Sequence, residues 1–196
     1  MIVRLLYFLL FYNIIFSQNF VDSFIERYEK TNNYVVEFEY ISKNNNEILF
    51  KNTGVLLYSN NKYRITIDDV VFIFDGKKYY NIIEENKEVN ILKNNELSKY
   101  LIPTNLSKIL KKDRDKLQIL NTDIIKITYR DDLDYKYLIE IDKNYNIIRI
   151  DQLLTDTYSN SIFFKKTLFN QKLETNLFFF NPLDYKDYYI NELWRF

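Results

Sequence analysis

Few residues of this sequence could carry out covalent or metal chemistry. The 196 residues contain no histidine and no cysteine, which excludes thiol and imidazole nucleophiles, disulfides, a lipid-modified cysteine and the common zinc sites. Gly54 and Gly76 are the two glycines of the chain, too few for a glycine-rich phosphate loop or a nucleophile elbow. The chemistry that remains open rests on acidic residues and on aromatic and basic ones.

Three acidic groups can be compared with known sites. Residues 131–134, Asp-Asp-Leu-Asp, resemble the start of a calcium loop, but the glycine and the distal glutamate of such a loop are missing. Two acidic pairs could act as general acid and base; they are Glu84 with Glu85 and Asp68 with Asp69. All of these residues fall in predicted turns, where acidic residues are common. The sequence therefore predicts no catalytic residue, no metal site, no cofactor and no enzymatic activity.

The charge balance argues against a nucleic-acid partner. Lysine and arginine number 27, aspartate and glutamate number 27, and the sequence pI is about 6.4, so a strongly basic binding surface is excluded. Residues 163–166, Phe-Phe-Lys-Lys, have the composition of a single-strand-binding surface. In a neutral chain we interpret them as part of an amphipathic strand.

The first residues are typical of a secretory signal peptide. Arg4 precedes an apolar run over 5–16, which as a helix would cover roughly 18 Å, less than the ~30 Å hydrocarbon core of a bilayer. Ser17 supplies a small residue after the run, so residues 1–18 are predicted to be a signal peptide. An uncleaved anchor or a buried strand are the alternatives. The remainder, 19–196, has the length of a single domain.

A first amphipathic helix is predicted directly after the apolar leader. Phe20, Phe24 and Tyr28 recur every four residues, a spacing that places them on one stripe of a helix of about three turns. Val21 and Ile25 lie beside that stripe and widen it.

A second helical region is predicted around Pro103. Helical spacing runs over 96–110, and Pro103 is expected to break it. Thr104 is expected to cap the short helix that follows. That helix carries three apolar residues, Leu106, Ile109 and Leu110.

Most of the remaining chain alternates apolar and polar residues, which is typical of strands. Strands are predicted over 34–90, with an interruption at Gly54, and over 116–180, the last of them near 176–180. Asp75 and Gly76 give the strongest hairpin signal, for a type I′ turn with positive φ at both residues. About eleven closely linked strands imply an antiparallel meander that is too large to stay flat, so the sheet should curl toward a barrel.

The apolar content exceeds what one core face needs. Residues 70–74 are apolar on both faces of a strand, so both faces should be covered or one should face a ligand. Two amphipathic helices over a curled sheet fit a cavity as well as a filled barrel, and the pattern alone does not decide between them.

Several short motifs, in their order along the chain, resemble one known family. Gly54 begins an apolar strand, Tyr63 and Arg64 lie in a Lys–aromatic–Arg strand, and residues 75–77, Asp-Gly-Lys, begin a hairpin before an aromatic strand. Residues 177–182 resemble that family's closing strand. Together with the helix after the leader, these motifs resemble the LolA-type periplasmic carriers of outer-membrane lipoproteins over nearly the whole chain.

The resemblance implies a mainly β fold, in which a strongly curved, incomplete antiparallel barrel of about eleven strands is covered by short helices that act as a lid. Acyl chains would bind in a hydrophobic cavity between lid and sheet. The lid residues would be Phe24, Ile25, Tyr28, Leu106, Ile109 and Leu110. On the sheet, the acyl-binding residues would be Tyr63, Ile65 and Ile67, which share one face by alternation, and Phe72 and Phe74. Gly54, Asp75 and Gly76 are expected at structural turns.

The resemblance also implies partners and a location. The partners would be acylated lipoproteins, an inner-membrane ABC exporter that loads the carrier and, where present, an outer-membrane acceptor that is itself a lipoprotein. The protein would be a periplasmic monomer. Members of the family hold the lid closed with an arginine near the position of Ser59 and Asn60, which leaves Arg64 or Lys62 as its replacement here.

Two other functions stay open at this point. One is a periplasmic module of the same fold that binds or senses a different lipid. The other is a periplasmic hydrolase, which the shortage of nucleophiles disfavours.

Overall fold

One large, curved and open sheet organises the chain. The structure is a computed structural model that describes residues 19–93, 98–121 and 123–193, and within these residues twelve strands form the sheet. Helix α1 covers 19–30, α2 covers Ser98–Leu101 and α3 covers Pro103–Lys112. The strands are β1 Asn33–Asn44, β2 Glu47–Ser59, β3 Lys62–Ile67, β4 Val70–Phe74, β5 Tyr79–Ile83, β6 Glu88–Leu92, β7 Gln118–Asn121, β8 Ile125–Arg130, β9 Lys136–Ile141, β10 Ile147–Leu153, β11 Tyr158–Phe169 and β12 Tyr189–Glu192.

The strand order joins two meanders along one central seam. The order is β12-β6-β5-β4-β3-β2-β1-β11-β10-β9-β8-β7, so β1 and β11 pair where the early and late strands of the chain meet. Strand β12 runs parallel to β6, whereas the other neighbours are antiparallel. The predicted fold class, a mainly β, incomplete barrel with helices, is confirmed. The predicted signal peptide, 1–18, lies outside the described residues.

Asparagine pairs form two of the two-residue hairpin loops. Asn45 and Asn46 both have positive φ, as do Asn60 and Asn61, which is the geometry of type I′ turns. The type I′ prediction for Asp75 and Gly76 is wrong. Their hairpin has a four-residue loop over 75–78, only Gly76 of that loop is in the positive-φ region, and an Asp75 carboxylate oxygen accepts the amides of Lys77 and Lys78.

Gly54 is not a turn, and the predicted interruption there is wrong. Strand β2 continues through it, with Gly54 paired to Phe38 on one side and Ile67 on the other. A Cβ at Gly54 would lie 2.5 Å from the Phe38 ring and 2.7 Å from the Thr66 carbonyl oxygen. The glycine is required because the Phe38 ring lies directly over the strand.

Two further expectations about local structure are corrected, and one is confirmed. The predicted break at Pro103 is present, because α2 ends at Leu101 and α3 begins at Pro103. The residue that caps α3 is Ile102 rather than Thr104, and Pro103 is the first helical residue, a position at which proline loses no hydrogen bond. Thr104 therefore lies inside the helix. The strand expected near 176–180 is a 3-10 turn over Thr175–Phe178, and the last strand is β12.

The sheet has an apolar cluster on each face. The larger cluster lies under α1, α2 and α3 and includes Val36, Leu56 and Ile139; we call this side the helix-covered face. On the opposite face, Val71, Ile73 and other residues of β4, β5 and β6 are covered by Phe180, Tyr185 and Tyr188 from the segment after β11. The two apolar faces of β4 are thus both covered, as its sequence predicts. Within the described ranges, no helix combines the length and the apolar character needed to cross a membrane.

Candidate functional site

The residues predicted to bind acyl chains all meet on the helix-covered face. Seven of them are buried in the larger cluster: Phe24, Ile25 and Tyr28 from α1, Leu106 and Leu110 from α3, and Tyr63 and Ile65 from β3. The other four, Ile109, Ile67, Phe72 and Phe74, are partly buried and pack against it. Because strand residues alternate between faces, Tyr63, Ile65 and Ile67 lie opposite Phe74, Phe72 and Val70 across β3 and β4. Their role in binding acyl chains stays a prediction.

Helices α1 and α3 lie directly on the sheet. Phe24, Leu106 and Ile65 each have 0% exposure, and the ring of Tyr28 lies 4.9 Å from that of Phe24. The side chains between these helices and the strands therefore pack against one another. At these positions the helices lie against the strands with no exposed side chain between them.

Open space is found beside α2 instead. A cavity of about 440 Å³ lies on the helix-covered face next to Tyr100, within the roughly 300–1,000 Å³ of pockets that bind small molecules. Ile150 and Ile162 form part of its apolar wall, and Gln152 and Asn160 form part of its polar wall. A second cavity of about 280 Å³ is lined by Phe50, Ile67 and Phe72. Tyr40 lines both cavities and separates them.

Tyrosine hydroxyls from the sheet fasten the helices. The Tyr34 and Thr104 hydroxyl oxygens lie 3.2 Å apart in a buried hydrogen bond between β1 and α3. Tyr129 on β8 donates to Asp113 at the end of α3, at 2.9 Å. This bond and the Lys116 ammonium hold the pKa of the Asp113 carboxyl below its usual range.

A third fastener joins α2 to the β8–β9 hairpin. The ring of Tyr100 stacks on Tyr137 with 4.0 Å between centroids, and both hydroxyls donate to the same oxygen of Asp131, each at 3.1 Å. The other Asp131 oxygen accepts the amides of Leu133 and Tyr135. Burial raises the pKa of Tyr100, and burial raises that of Tyr137 to about 12. Both phenols therefore remain donors at neutral pH.

Two ion pairs connect α1 to α3 and its C-terminal end. Lys111 lies 2.8 Å from Glu29, and Arg114 lies 2.7 Å from Asp22. These charges are largely exposed, so each pair contributes at most about 1 kcal/mol. In addition, the Arg27 guanidinium lies over the Phe169 ring, 4.3 Å from its centroid, and anchors α1 to β11.

The expected replacement for the family arginine is wrong. Lys62 and Arg64 alternate with Tyr63 and therefore lie on the face opposite the helices. The Lys62 ammonium lies 4.1 Å from the centre of the Phe179 ring, and Arg64 interacts with Tyr185. Both residues contact the C-terminal segment on the face opposite the helices.

The acidic candidates take part in local structure. Asp131 organises the loop before β9 by accepting two backbone amides, as an acidic turn residue does. Asp68 accepts from Asn52, and Glu84 accepts from Tyr188. Among the residues that the structure describes, no group of three or more His, Cys, Asp or Glu is placed to hold a metal ion. The aromatic–basic run, 163–166, lies in strand β11.

The sequence did not reveal the fastening residues. Tyr34, Tyr129 and Tyr137 are three of eighteen tyrosines, and alternation places each on the apolar face without showing where its hydroxyl bonds. Asp113 follows the basic end of α3, where an acid is unfavourable for the helix dipole. That mismatch was the available signal that Asp113 bonds to something else.

Comparison with solved structures identifies proteins of similar fold, whereas comparison of the sequence finds no match. No protein-family model matches the chain, and no curated protein matches it in sequence. An uncharacterized conserved protein from Thermus thermophilus is similar in structure with a TM-score of 0.59 and 9% identity, over 90% of this chain and 99% of that one. The two proteins therefore share a fold.

Structures of the LolA type are among the further similar structures. A domain assigned to outer membrane lipoprotein sorting, from Vibrio parahaemolyticus, has a TM-score of 0.46 and 13% identity, over 85% of this chain and 97% of that one. A LolA superfamily protein from Nitrosomonas europaea has a TM-score of 0.46 and 9% identity, over 84% of this chain and 97% of that one.

Proposed function

We propose that this protein is a periplasmic carrier that binds the acyl chains of lipoproteins between its helices and its sheet, and moves them from the inner to the outer membrane. The observation that carries the proposal is the meeting of all eleven predicted acyl-binding residues on the helix-covered face. The sequence resemblance to LolA-type carriers points to those same residues. The proposed function contains no chemical step, so we expect no enzymatic activity.

The energetics of acyl chains explain why a carrier must be apolar inside. Each buried CH₂ contributes about 0.8 kcal/mol, so a chain of roughly sixteen carbons gains more than 10 kcal/mol on leaving water. A lipoprotein with two or three such chains does not cross the periplasm unaided. A carrier needs to offer comparable burial, and the direction of transfer then follows the relative affinities of donor, carrier and acceptor.

Each fastener between the helices and the sheet is weaker than the free energy gained by burying one acyl chain. Each neutral hydrogen bond, such as that between Tyr34 and Thr104, contributes about 0.5–1.5 kcal/mol, and bonds to a carboxylate about 1.5–3 kcal/mol. Exposed ion pairs add less than about 1 kcal/mol each. Entry of one acyl chain thus supplies more free energy than any single fastener holds, so binding and opening are coupled.

The same proposal assigns the partners. An ABC exporter in the inner membrane loads the carrier, and an outer-membrane acceptor, where one exists, unloads it. Both events require an acyl chain to replace contacts that the buried side chains of α1 and α3 now make with the sheet, so we expect these helices to move.

Release of lipoproteins from inner-membrane vesicles tests the carrier function. Replacing Leu106 or Ile65 by Glu places a charge in the apolar cluster and should abolish release by the purified protein. Both residues are fully buried, so Ile109→Glu, at a partly buried position on α3, is the variant expected to fold and still fail. Leu120→Glu, at a position 60% exposed on β7, is the matched control and should release lipoproteins normally.

Two outcomes decide the proposal. Mass spectrometry of the wild-type protein should reveal a co-purified lipoprotein or acyl ligand, and folded Ile109→Glu should lack it. Normal release by folded Ile109→Glu would refute the assignment of the cluster. A co-purified lipid that is not part of a lipoprotein would instead identify a module for another lipid.

A further inference from the structure

The cavity beside α2 is divided into an apolar row and a polar row of side chains. Ile162 on β11 and Ile150 on β10 lie opposite each other and line the cavity, and the fully buried Ile139 on β9 continues this row in register beyond the lining. A second row in the same register lies two positions away on each strand and contains Asn160, Gln152 and Tyr137. Residues two apart lie on the same face of a strand, so both rows face the helices. The cavity therefore has an apolar floor with a polar border.

The polar row is a continuous chain of hydrogen bonds. The Tyr40 hydroxyl donates to Asn160 at 2.8 Å, the Asn160 amide donates to Gln152 at 3.3 Å, and the Gln152 amide donates to the Tyr137 hydroxyl at 2.8 Å. Tyr137 then donates to Asp131. Each carboxamide has two N–H groups and two acceptor lone pairs, and these bonds use one of each. Asn160 and Gln152, which both line the cavity, thus each keep one N–H group and one acceptor lone pair that none of these bonds uses.

The charge of the cavity restricts the kind of ligand it fits. Among the described residues that line it, Asp131 alone is charged, and its two oxygens accept two backbone amides and two phenols. An anionic head group would come close to this carboxylate, and repulsion between two negative charges is costly in a partly desolvated site. A neutral group that both donates and accepts hydrogen bonds would be matched by the two carboxamides.

From these observations we propose that the cavity binds the uncharged ester-bearing end of an acylglycerol, with Gln152 and Asn160 bonding to its polar groups. The acyl chain extends over the isoleucine row toward the larger apolar cluster, to which Tyr100, Tyr137 and Ile150 belong. This inference rests on the proposed function and deepens it, because it assigns a head-group subsite and a preference against anionic lipids.

Displacement of a fluorescent naphthylamine probe from the purified protein tests the subsite. The ligands are a monoacylglycerol and a lysophosphatidic acid with the same acyl chain, and the probe itself reports binding to the apolar part. We expect the monoacylglycerol to bind at least about tenfold more tightly than the lysophosphatidic acid. Gln152→Leu and Asn160→Leu should each weaken monoacylglycerol binding about tenfold, since each leaves a polar ligand group unpaired, and should leave probe binding within about twofold.

A matched control and distinct outcomes keep the two proposals separate. Gln118→Leu makes the same replacement at an exposed position of β7 and should change nothing. If the probe and both lipids bind equally well to wild type and to the Gln152 and Asn160 variants, the subsite is refuted while the acyl-binding function stands. If wild type binds the lysophosphatidic acid as tightly as the monoacylglycerol, only the preference for an uncharged end is refuted. If neither probe nor lipid binds to the wild type, both proposals fail.

Discussion

The hydroxyl groups of Tyr34 and Thr104 lie 3.2 Å apart inside the protein and join the central strand β1 to helix α3. The Thr104 amide also donates to the Tyr34 hydroxyl, at 3.4 Å, and burial raises the pKa of Tyr34 well above its usual value. Tyr34 also stacks on Tyr58 of β2, with ring centroids 4.6 Å apart. A single side chain thus connects the middle of the sheet to the helix proposed to move.

A double-mutant cycle on this pair measures how strongly α3 is fastened. Tyr34→Phe removes the hydroxyl but keeps the ring, and it should lower the free energy of unfolding by about 1 kcal/mol. Thr104→Val should have a similar effect, and the double variant should lose less than the sum, with a coupling of about 0.5–1.5 kcal/mol. Urea unfolding provides the free energies, and hydrogen exchange of the α3 amides should accelerate in each variant. Strict additivity of the two losses would show that the bond does not fasten the helix.

The close approach of Phe38 to Gly54 predicts a large effect from one added methyl group. Gly54→Ala should lower the free energy of unfolding by about 1–3 kcal/mol or more, because its Cβ would lie 2.5 Å from the Phe38 ring and 2.7 Å from the Thr66 carbonyl. Adding Phe38→Leu should recover only part of this loss, since the backbone contact remains.

Gly76→Ala is the matched comparison for that variant. Its added Cβ would have 3.8 Å to its nearest neighbour, Lys62, and its cost arises from φ at +97°. An alanine there is strained by roughly 1 kcal/mol or somewhat more, so the loss should be smaller than at Gly54. Thermal or urea unfolding of both variants checks the order, and a larger loss at Gly76 would contradict the packing account.

The comparison of these glycines shows what local pattern could predict. Hairpins and helix stripes follow from residue spacing, and the helical stripe of Phe24 and Tyr28 was predicted correctly because period and face are local properties. At Gly54, a glycine within an apolar strand predicts an interruption of the strand, because a glycine in a turn has the same appearance in the sequence. The actual reason is a ring from another strand, a non-local contact that spacing does not encode.

The C-terminal segment illustrates the same limit. Its aromatic residues were predicted to form a strand near 176–180, but Phe178 belongs to a 3-10 turn and Phe180 stacks on Tyr80 across the opposite face of the sheet. The doubly apolar pattern of β4 predicted that both faces are covered or that one faces a ligand, and side chains from other elements pack on both faces. The pattern could not show which segment covers the second face. Aromatic residues are favoured both in strands and in segments that pack over a sheet, so those of the C-terminal segment fit either role.

The raised pKa values of the tyrosines predict a loss of stability in alkali. An unfolded phenol ionises near pH 10, whereas burial raises the pKa of Tyr137 to about 12, and burial with the Asp75 carboxylate raises that of Tyr80 to about 12. Burial and the bond to Asp113 raise the pKa of Tyr129 as well. Between pH 10 and 12 the unfolded chain holds fewer protons than the native one, so the free energy of unfolding falls as pH rises. Below pH 10 the stabilisation is fully present.

Urea unfolding at pH 8, 9, 10 and 11 measures this fall, and absorbance at 295 nm follows tyrosine ionisation. In Tyr137→Phe or Tyr80→Phe the dependence on pH above 10 should be less steep, because one fewer phenol is protected. Ionisation of all eighteen tyrosines near pH 10 in a protein that keeps its native circular dichroism would contradict the protected environments.

Linking α1 to α3 tests whether these helices separate when a ligand enters. The side-chain ends of Glu29 and Lys111 meet at 2.8 Å, and the chain has no cysteine, so cysteines introduced at both positions can be bridged selectively by a short bis-maleimide with an internal disulfide. The bridged protein should keep its fold and lose acyl-ligand uptake by about tenfold or more, because separation of the helices is then opposed by a covalent link rather than by an ion pair of at most about 1 kcal/mol. Reduction of the linker should restore uptake. The control pair, Glu26 and Lys30, forms an ion pair within α1, and a bridge there should leave uptake unchanged. Normal uptake by the α1–α3 bridged protein would show that the two helices move as one body, and that the opening lies elsewhere on the helix-covered face.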